Sequence, residues 1–316
     1  FCTGMEVKQK LAIILSLTGW TQERLAQELH VSFATVNSWV GGKSVPRRGA
    51  QERIDSLFAS LTGVFQPAED TLQAKKDIIF QKSLANERLI DRIFSRQDLH
   101  DQLVLSFTYH TNGIEGSTLS EPETAAVLFH NSALPNKTLT EQLEAKNHQV
   151  AIEYAFEVIK REQQISEQTI LKLHGMLMNG IREDAGRYRT HGVRIVGANV
   201  ATANPLKVSE RMVELVRWID RSHADPIAHV ARIHAAFEQI HPFSDGNGRV
   251  GRLLMLLMLL DRNIAPAIVK QKKKQVYYRA LQRAQQNSAA VAHGTNLVVQ
   301  TCMRRFNRSH CSRGCA

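Results

Sequence analysis

The sequence predicts a mainly α protein in two parts, a small N-terminal helical bundle and a larger helical body that carries one short β element. Apolar residues recur at helical spacing through most of the 316 residues. Residues 188–204 break that rule, being rich in Val, Thr and Gly without a helical period. A polar, Pro-containing stretch, Val64–Asp70, separates the parts. A chain of this length has room for two cores. The expected division is a first domain at 5–62, a connector at 63–93, a main domain at 94–290 and a basic tail at 291–316.

The elements follow in order. Val7, Leu11, Ile14 and Leu15 give Met5–Leu17 a helical stripe. Thr21 can cap the next helix, with Gln22 and Glu23 in its first turn and Leu25, Ala26 and Leu29 on its apolar face. A short helix from Ser32 carries Ala34, Val36, Trp39 and Val40 until Gly41-Gly42 stops it. Arg53–Leu61 closes the bundle. One helix is expected from about Thr71 to Leu105, and helices continue after it. Thr190–Val196 and Val200–Ala203 read as the two strands of a hairpin flap turning at Gly197–Asn199.

The segment TQERLAQELHVSFATVNSWV, Thr21–Val40, is similar to a helix-turn-helix of the phage-repressor (XRE-like) kind. Ala26 is small where two helices would cross, Val31 marks the turn, and Val36 with Trp39 anchors the second helix. The resemblance implies that the start of that helix reads the major groove. Asn37 would pair with adenine, Ser32 or Thr35 would reach a phosphate, and Lys43, Arg47 and Arg48 suit the DNA backbone. The segment's own charge of about +2 is low for a monomeric binder. Such modules usually pair, so a homodimer is an expectation.

The densest chemistry lies in His241-Pro-Phe-Ser-Asp-Gly-Asn-Gly-Arg-Val-Gly-Arg252. Pro242 disfavours helix at His241, so a helix Pro226–Ile240 should end there. Gly246 and Gly248 let the backbone approach a ligand closely. A long apolar helix starting near Arg249 presents its N-terminal amides to an anion. Arg249 and Arg252 lie three apart, suited to a phosphate clamp. Asp245 is a hard oxygen donor for Mg²⁺, and His241 is a base of near-neutral pKa. Order and spacing match the Fic-family signature His-x-Phe-x-(Asp/Glu)-Gly-Asn-Gly-Arg-x-x-Arg at every defined position, and the resemblance extends from about Phe94 to Gln286.

That resemblance implies a Fic helical-bundle fold and a protein adenylyltransferase using ATP and Mg²⁺. His241 would take the proton of a Ser, Thr or Tyr hydroxyl on a target protein. Asp245 would hold the metal. Asn247 and the loop amides, with Gly246 and Gly248, would neutralise the α-phosphate, and Arg249 and Arg252 would hold the β- and γ-phosphates. The flap would dock the target by strand pairing, and Phe243 is expected to plug the core rather than touch ligand.

Thr111-Asn-Gly-Ile-Glu115-Gly116 places Thr111 and Glu115 on one helix face. It resembles the family's inhibitory motif, (Ser/Thr)-x-x-x-Glu-(Gly/Asn), on a helix expected at 108–118, with Glu115 paired to Arg252. Gly113 inside that helix costs about 1 kcal/mol relative to Ala, which predicts a clasp that opens readily. Two other readings compete. One is a DNA-binding transcription regulator that uses the Fic fold as a nucleotide sensor, to which the intact His241 is superfluous. The other is a de-AMPylating enzyme in which Glu115 positions water.

Composition excludes other classes. A hydrophobic share of 43% and a charged share of 22% are those of an ordinary globular chain. The longest apolar run, Leu253–Leu260, is too short to span a membrane. No apolar leader is evident, with Met5 read as the start and Phe1–Gly4 as upstream residue. Cys2, Cys302, Cys311 and Cys315 lie only near the ends, which argues against a disulfide framework and for the cytoplasm. His310, Cys311 and Cys315 lack a second ligand pair for zinc. The net charge of +10 is concentrated at the end: after Asp261 there are eleven Lys and Arg and no acid.

Overall fold

A computed structural model of the chain describes residues 6–62, 69–85, 87–194, 201–221 and 223–286. Two compact units emerge, Phe1–Leu72 and Gln73–Ala316. Every regular element among the described residues is helical.

The first unit holds α1 (Val7–Thr18), α2 (Gln22–Glu28), α3 (Phe33–Val40) and α4 (Arg48–Thr62). Leu11, Ile14, Leu25, Ala26, Leu29, Val36, Trp39, Ile54 and Phe58 form one apolar cluster. Thr21 caps α2 by accepting from Arg24 N, and Ser32 caps α3 by accepting from Thr35 N. Such caps satisfy amides that a helix start leaves unpaired. Between them the chain turns through His30 at φ 53°, and Val31 N donates to Ala26 O at 3.0 Å. Lys10 Nζ to Asp55 Oδ1, 2.7 Å, joins α1 to α4. The closing helix is thus longer than Arg53–Leu61.

The second unit runs from α5 (Glu69–Ala85, which enters it at Gln73) through α6 (Leu89–Ser95), α7 (Gln97–Glu115), α8 (Glu121–His130), α9 (Leu139–Lys160) and α10 (Glu167–Leu177). After a short 3₁₀ turn, Pro205–Lys207, come α11 (Val208–Ile219), α12 (Pro226–Ile240) and α13 (Asn247–Asp261). A second 3₁₀ turn, Gln271–Lys273, precedes α14 (Lys274–Gln286). Helix α13 is the axis of the unit. Leu253 to Leu260 are all buried, as expected of a helix that is apolar on every side. Helices α7, α9, α10 and α12 pack around it.

Two sequence expectations need correction. The helix expected over 71–105 is three helices. Asn263 bridges the first break: its Oδ1 accepts from Leu89 N at 2.7 Å and its Nδ2 donates to Ser83 O at 2.8 Å. One side chain from the far end of α13 thereby satisfies both a helix start and a helix end, which lets α6 turn Leu89, Ile90 and Ile93 into the core. The second break is Arg96, which is extended at φ −128°.

The flap is the other correction. Its described arms, 190–194 and 201–204, contain no strand, and the turn at Gly197–Asn199 lies outside the described residues. The arms are tied by side chains instead of a backbone ladder. Thr202 Oγ1 donates to Val193 O at 2.9 Å, and Arg189 bonds both arms. The basic tail at 291–316 and its cysteines also fall outside the described residues.

Candidate active site

Helix α12 ends at His241, a left-handed residue at φ 52°, ψ 60°, whose amide still donates to Phe237 O at 2.9 Å. A non-glycine residue holds that conformation only where its surroundings over-determine it, and here they do. The Pro242 carbonyl accepts from Arg189 N at 3.0 Å. The Arg189 guanidinium, on a residue only 3% exposed, donates through Nε to His241 O at 2.7 Å, through Nη2 to Ala203 O and Ile240 O, and through Nη1 to His191 O. One buried cation thus knots the flap arms to the turn that carries His241.

The His241 ring lies with Nδ1 3.1 Å from Glu238 O. A carbonyl can only accept, so Nδ1 carries the proton and Nε2 offers its lone pair. Burial lowers the pKa of the ring and the Arg189 cation adds to this, while the Glu238 carbonyl, Glu115 and Asp245 oppose it. The outcome is a neutral imidazole at pH 7, the form a general base requires.

Beyond Pro242 the loop is built around Phe243, fully buried and stacked on His174 at 3.7 Å with planes 6° apart. It is the core plug that the sequence predicts. Gly186 N donates to His174 Nδ1 at 2.9 Å, so Nε2 carries the hydrogen and donates to Asp245 O at 3.1 Å. Burial pushes the His174 pKa down to about 4, which keeps that tautomer neutral. Asp245 has its side chain 57% exposed, with Oδ1 accepting from Gly246 N at 2.6 Å and Oδ2 3.7 Å from Arg249 Nη2. Gly246 needs its φ of 76° for this turn. Helix α13 then starts at Asn247, two residues earlier than expected, and no side chain caps it. Its first amides are free to meet an anion.

Asn247 and Arg249 are placed differently from the sequence expectation. Asn247 is 2% exposed, and both polar atoms are spent inside the loop, Oδ1 accepting from Phe243 N and Nδ2 donating to Phe243 O, each at 2.9 Å. It staples the turn from within. Arg249, 3% exposed, donates through Nη1 to Glu144 Oε1 on α9 at 2.6 Å. Its charge is thus met by Glu144, with Asp245 Oδ2 near its other terminal nitrogen.

Arg252 is 1% exposed and meets the N-terminal face of the site from α13. Its Nη2 donates to Glu115 Oε1 at 2.5 Å, with Thr111 Oγ1 and O each 3.4 Å from the guanidinium. Tyr277 OH is 3.5 Å from Nη1 and 2.8 Å from His234 Nε2. Burial works against the Arg252 charge, but Glu115 and Tyr277 more than offset it and the pKa is raised. Glu115 Oε1 also sits 2.5 Å from where a Cβ on Gly248 would stand. Only glycine admits the carboxylate at the start of α13. Gly116, φ 114°, closes α7 just after it.

Gly113 has a role the sequence did not show. A Cβ there would lie 2.5 Å from Gln271 Cδ and 2.6 Å from its Oε1. The glycine leaves room for the end of the Gln271 side chain against α7. Sequence reasoning also missed Arg189, His174, Glu144, Tyr277 and Glu238, whose partners are remote in the chain. In the first unit Ser32 and Asn37 are exposed and Thr35 half-buried, with the Ser32 and Thr35 hydroxyls bonded to each other at 2.8 Å; Lys43 is exposed.

The arrangement is that of an anion-binding loop beside a neutral imidazole, with an arginine already clasped by a carboxylate. Residues 164–259 match the model of the Fic/DOC family. The chain is 27% identical over 237 residues, 74% of its length and 42% of the relative's, to the protein adenylyltransferase Fic of Drosophila ananassae. It is 32% identical over 181 residues, 55% and 35% of the two lengths, to the protein adenylyltransferase fic-1 of Caenorhabditis elegans. The chain therefore spans less than half the length of these curated relatives. Among solved structures, Fic-1 from C. elegans matches with a TM-score of 0.60 and 20% identity over 94% of each chain. A Fic family protein from Desulfovibrio desulfuricans G20 matches with a TM-score of 0.61 and 25% identity, over 76% of this chain and 74% of that one. Residues 164–259 thus match a Fic/DOC domain, and the helical fold around them is shared with these Fic structures.

Proposed function

We propose that this chain is a protein adenylyltransferase held in check by Glu115. The observation that carries the reading is the Arg252–Glu115 pair, lying over the glycine-lined start of α13 with His241 on the same loop. A carboxylate seated on a buried guanidinium at a helix N-terminus occupies the place where a phosphate of ATP would sit.

With Glu115 withdrawn, the α13 amides at Asn247 and Gly248 and the Arg252 guanidinium receive the triphosphate, while Gly246, its amide held by Asp245 Oδ1, shapes the turn beside them. Asn247 and Arg249 serve from behind, one stapling the loop and the other pinning it to α9. A hydroxyl oxygen of the target attacks the α-phosphorus of ATP, the bond to the β-phosphate breaks, and pyrophosphate leaves. His241 Nε2 takes the hydroxyl proton. Among the described residues no three His, Cys, Asp or Glu gather to hold a metal alone, whereas one exposed carboxylate suits an ion that phosphate oxygens and water complete. Asp245 is the residue that would hold Mg²⁺, which supplies charge neutralisation on the phosphates. The relatives' name, protein adenylyltransferase, supports the same reaction.

Catalysis in such a site rests on positioning and on charge aimed at the phosphoryl group. Breaking an ion pair whose Arg252 end is buried strands that cation, so Thr111 and Glu115 should keep the resting enzyme slow. Glu115→Gly should raise incorporation of label from α-labelled ATP into the chain itself at least tenfold. Labelling in that variant no faster than in the unaltered chain would remove the brake from the account.

The first unit is proposed to bind DNA through the exposed start of α3, with Asn37 directed at a base and Lys43 at the backbone. Ser32, engaged in its cap, is left a phosphate-facing edge at most, alongside Thr35. Selection from random-sequence duplexes that enriches no site would remove this part. Placement in the cytoplasm and pairing of two copies belong to the same proposal; no described helix is long and apolar enough to cross a membrane.

A further inference from the structure

One buried acid is used by nothing above. Glu238 lies on α12 one turn before His241, 6% exposed, and its Oε1 has no hydrogen-bond partner. The carboxyl fits into a notch on α13: a Cβ on Gly251 would stand 2.5 Å from Oε1. Its other oxygen, Oε2, is 4.0 Å from His241 Nδ1. An unpaired buried carboxyl normally costs more than 1 kcal/mol, and any apolar side chain would fill the space without that cost.

We propose that Glu238 is a positioning residue for AMP transfer, its carboxyl set in the Gly251 notch so as to brace the His241 ring from behind and steady the positive charge that the ring gains with the target's proton. The inference rests on the adenylyltransferase reading. Nothing is consumed in this step. The proton moves from the target hydroxyl to His241 Nε2, and Glu238 remains within reach of the imidazolium without taking that proton, much as the acid of a catalytic triad does.

The surroundings give the carboxyl a second property. Arg252 on α13, Glu115 on α7, Tyr277 and Tyr278 on α14, and His234 and His241 on α12 are the titratable or charged groups gathered about it. Burial pushes its pKa up to about 7; Arg252 opposes this and Glu115 adds to it. Departure of Glu115 removes one negative charge from the neighbourhood, so Glu238 ionises more readily. An ionised Glu238 raises the proton affinity of His241. Withdrawal of the brake thus frees Arg252 and removes the support that Glu115 itself lends to the His241 proton affinity, which the ionised Glu238 replaces.

The test uses the full chain carrying Glu115→Gly, alone and combined with E238Q or G251A. E238Q keeps size and removes charge. G251A leaves the carboxyl in place but evicts it from its notch. Two quantities are read: incorporation of α-labelled ATP between pH 5.5 and 9, and the His241 pKa from histidine labelled at Cε1. Both added changes are expected to slow labelling about tenfold or more, and E238Q to lower the His241 pKa by about one unit, moving the acid limb of the pH profile downward. E238Q that labels at the parent rate, with the His241 titration unmoved, overturns the proposal. A slower E238Q or G251A with an unmoved His241 titration also overturns it, since loss of packing alone would do that. Absence of labelling in the Glu115→Gly parent would count against the adenylyltransferase reading itself, and the His241 titration would still decide the role of Glu238.

Discussion

At the scale of single residues, the loop's signature mixes groups that face a ligand with groups that hold the loop's shape, and spacing does not separate them. Asn247 has the chemistry of a phosphate donor, yet both its polar atoms close on Phe243. Asn247→Ala leaves two buried backbone groups without partners, at about 1–3 kcal/mol each. Urea unfolding should therefore show a loss of about 2–4 kcal/mol, whereas a ligand contact alone would leave the midpoint unchanged. His241 gives a second expectation. Its folded pKa lies below the ordinary 6.5 because the ring is buried. The base is then unprotonated throughout the neutral range, and labelling by the Glu115→Gly variant should stay flat from pH 8 to 7 and fall only below about 6.5. A fall that begins above pH 7.5 would contradict the assignment of the base.

At the scale of elements, the helices were legible where a cap and an apolar stripe coincide. Thr21 and Ser32 sit where α2 and α3 begin, and Pro242 ends α12. What escaped was decided by partners remote in sequence. The break before α6 depends on Asn263, and the flap depends on Arg189, which joins arms whose Val, Thr and Gly content had suggested paired strands. Gly113 is the plainest case. Its helix penalty of about 1 kcal/mol is a local fact, but the Gln271 side chain 2.5 Å from a would-be Cβ is a tertiary one. The atoms in the way are the end of a flexible, half-buried side chain that can swing aside. Gly113→Ala should therefore stabilise the second unit by less than the about 1 kcal/mol that helix propensity alone would give. In a Gln271→Ala background the same change should give the full gain. Thermal unfolding of the four combinations measures the coupling; additive effects would leave Gly113 with no packing role.

Across the whole molecule, the second unit buries several neutral histidines. His174 is held at about 4 and His234 at about 3, both by burial, against 6.5 when unfolded. Below pH 6.5 the unfolded chain binds more protons than the folded one, so stability is full above that value and declines toward pH 4. Glu238 works in the opposite sense. Its folded value near 7 exceeds 4.5, so its contribution is present below pH 4.5 and is lost as pH rises through 7. Calorimetry should show the acid decline shallower in His174→Gln, and an unchanged slope would contradict a buried neutral imidazole. The site was legible in the sequence because its loop is contiguous, while the supports around it come from α9, α10, α12, α14 and the segment that carries Arg189, and were not. The most direct test of the central claim compares Glu115→Gly with Glu115→Gly/His241→Ala in Mg²⁺ and α-labelled ATP. The account predicts strong labelling in the first and none in the second; equal labelling in both would contradict it.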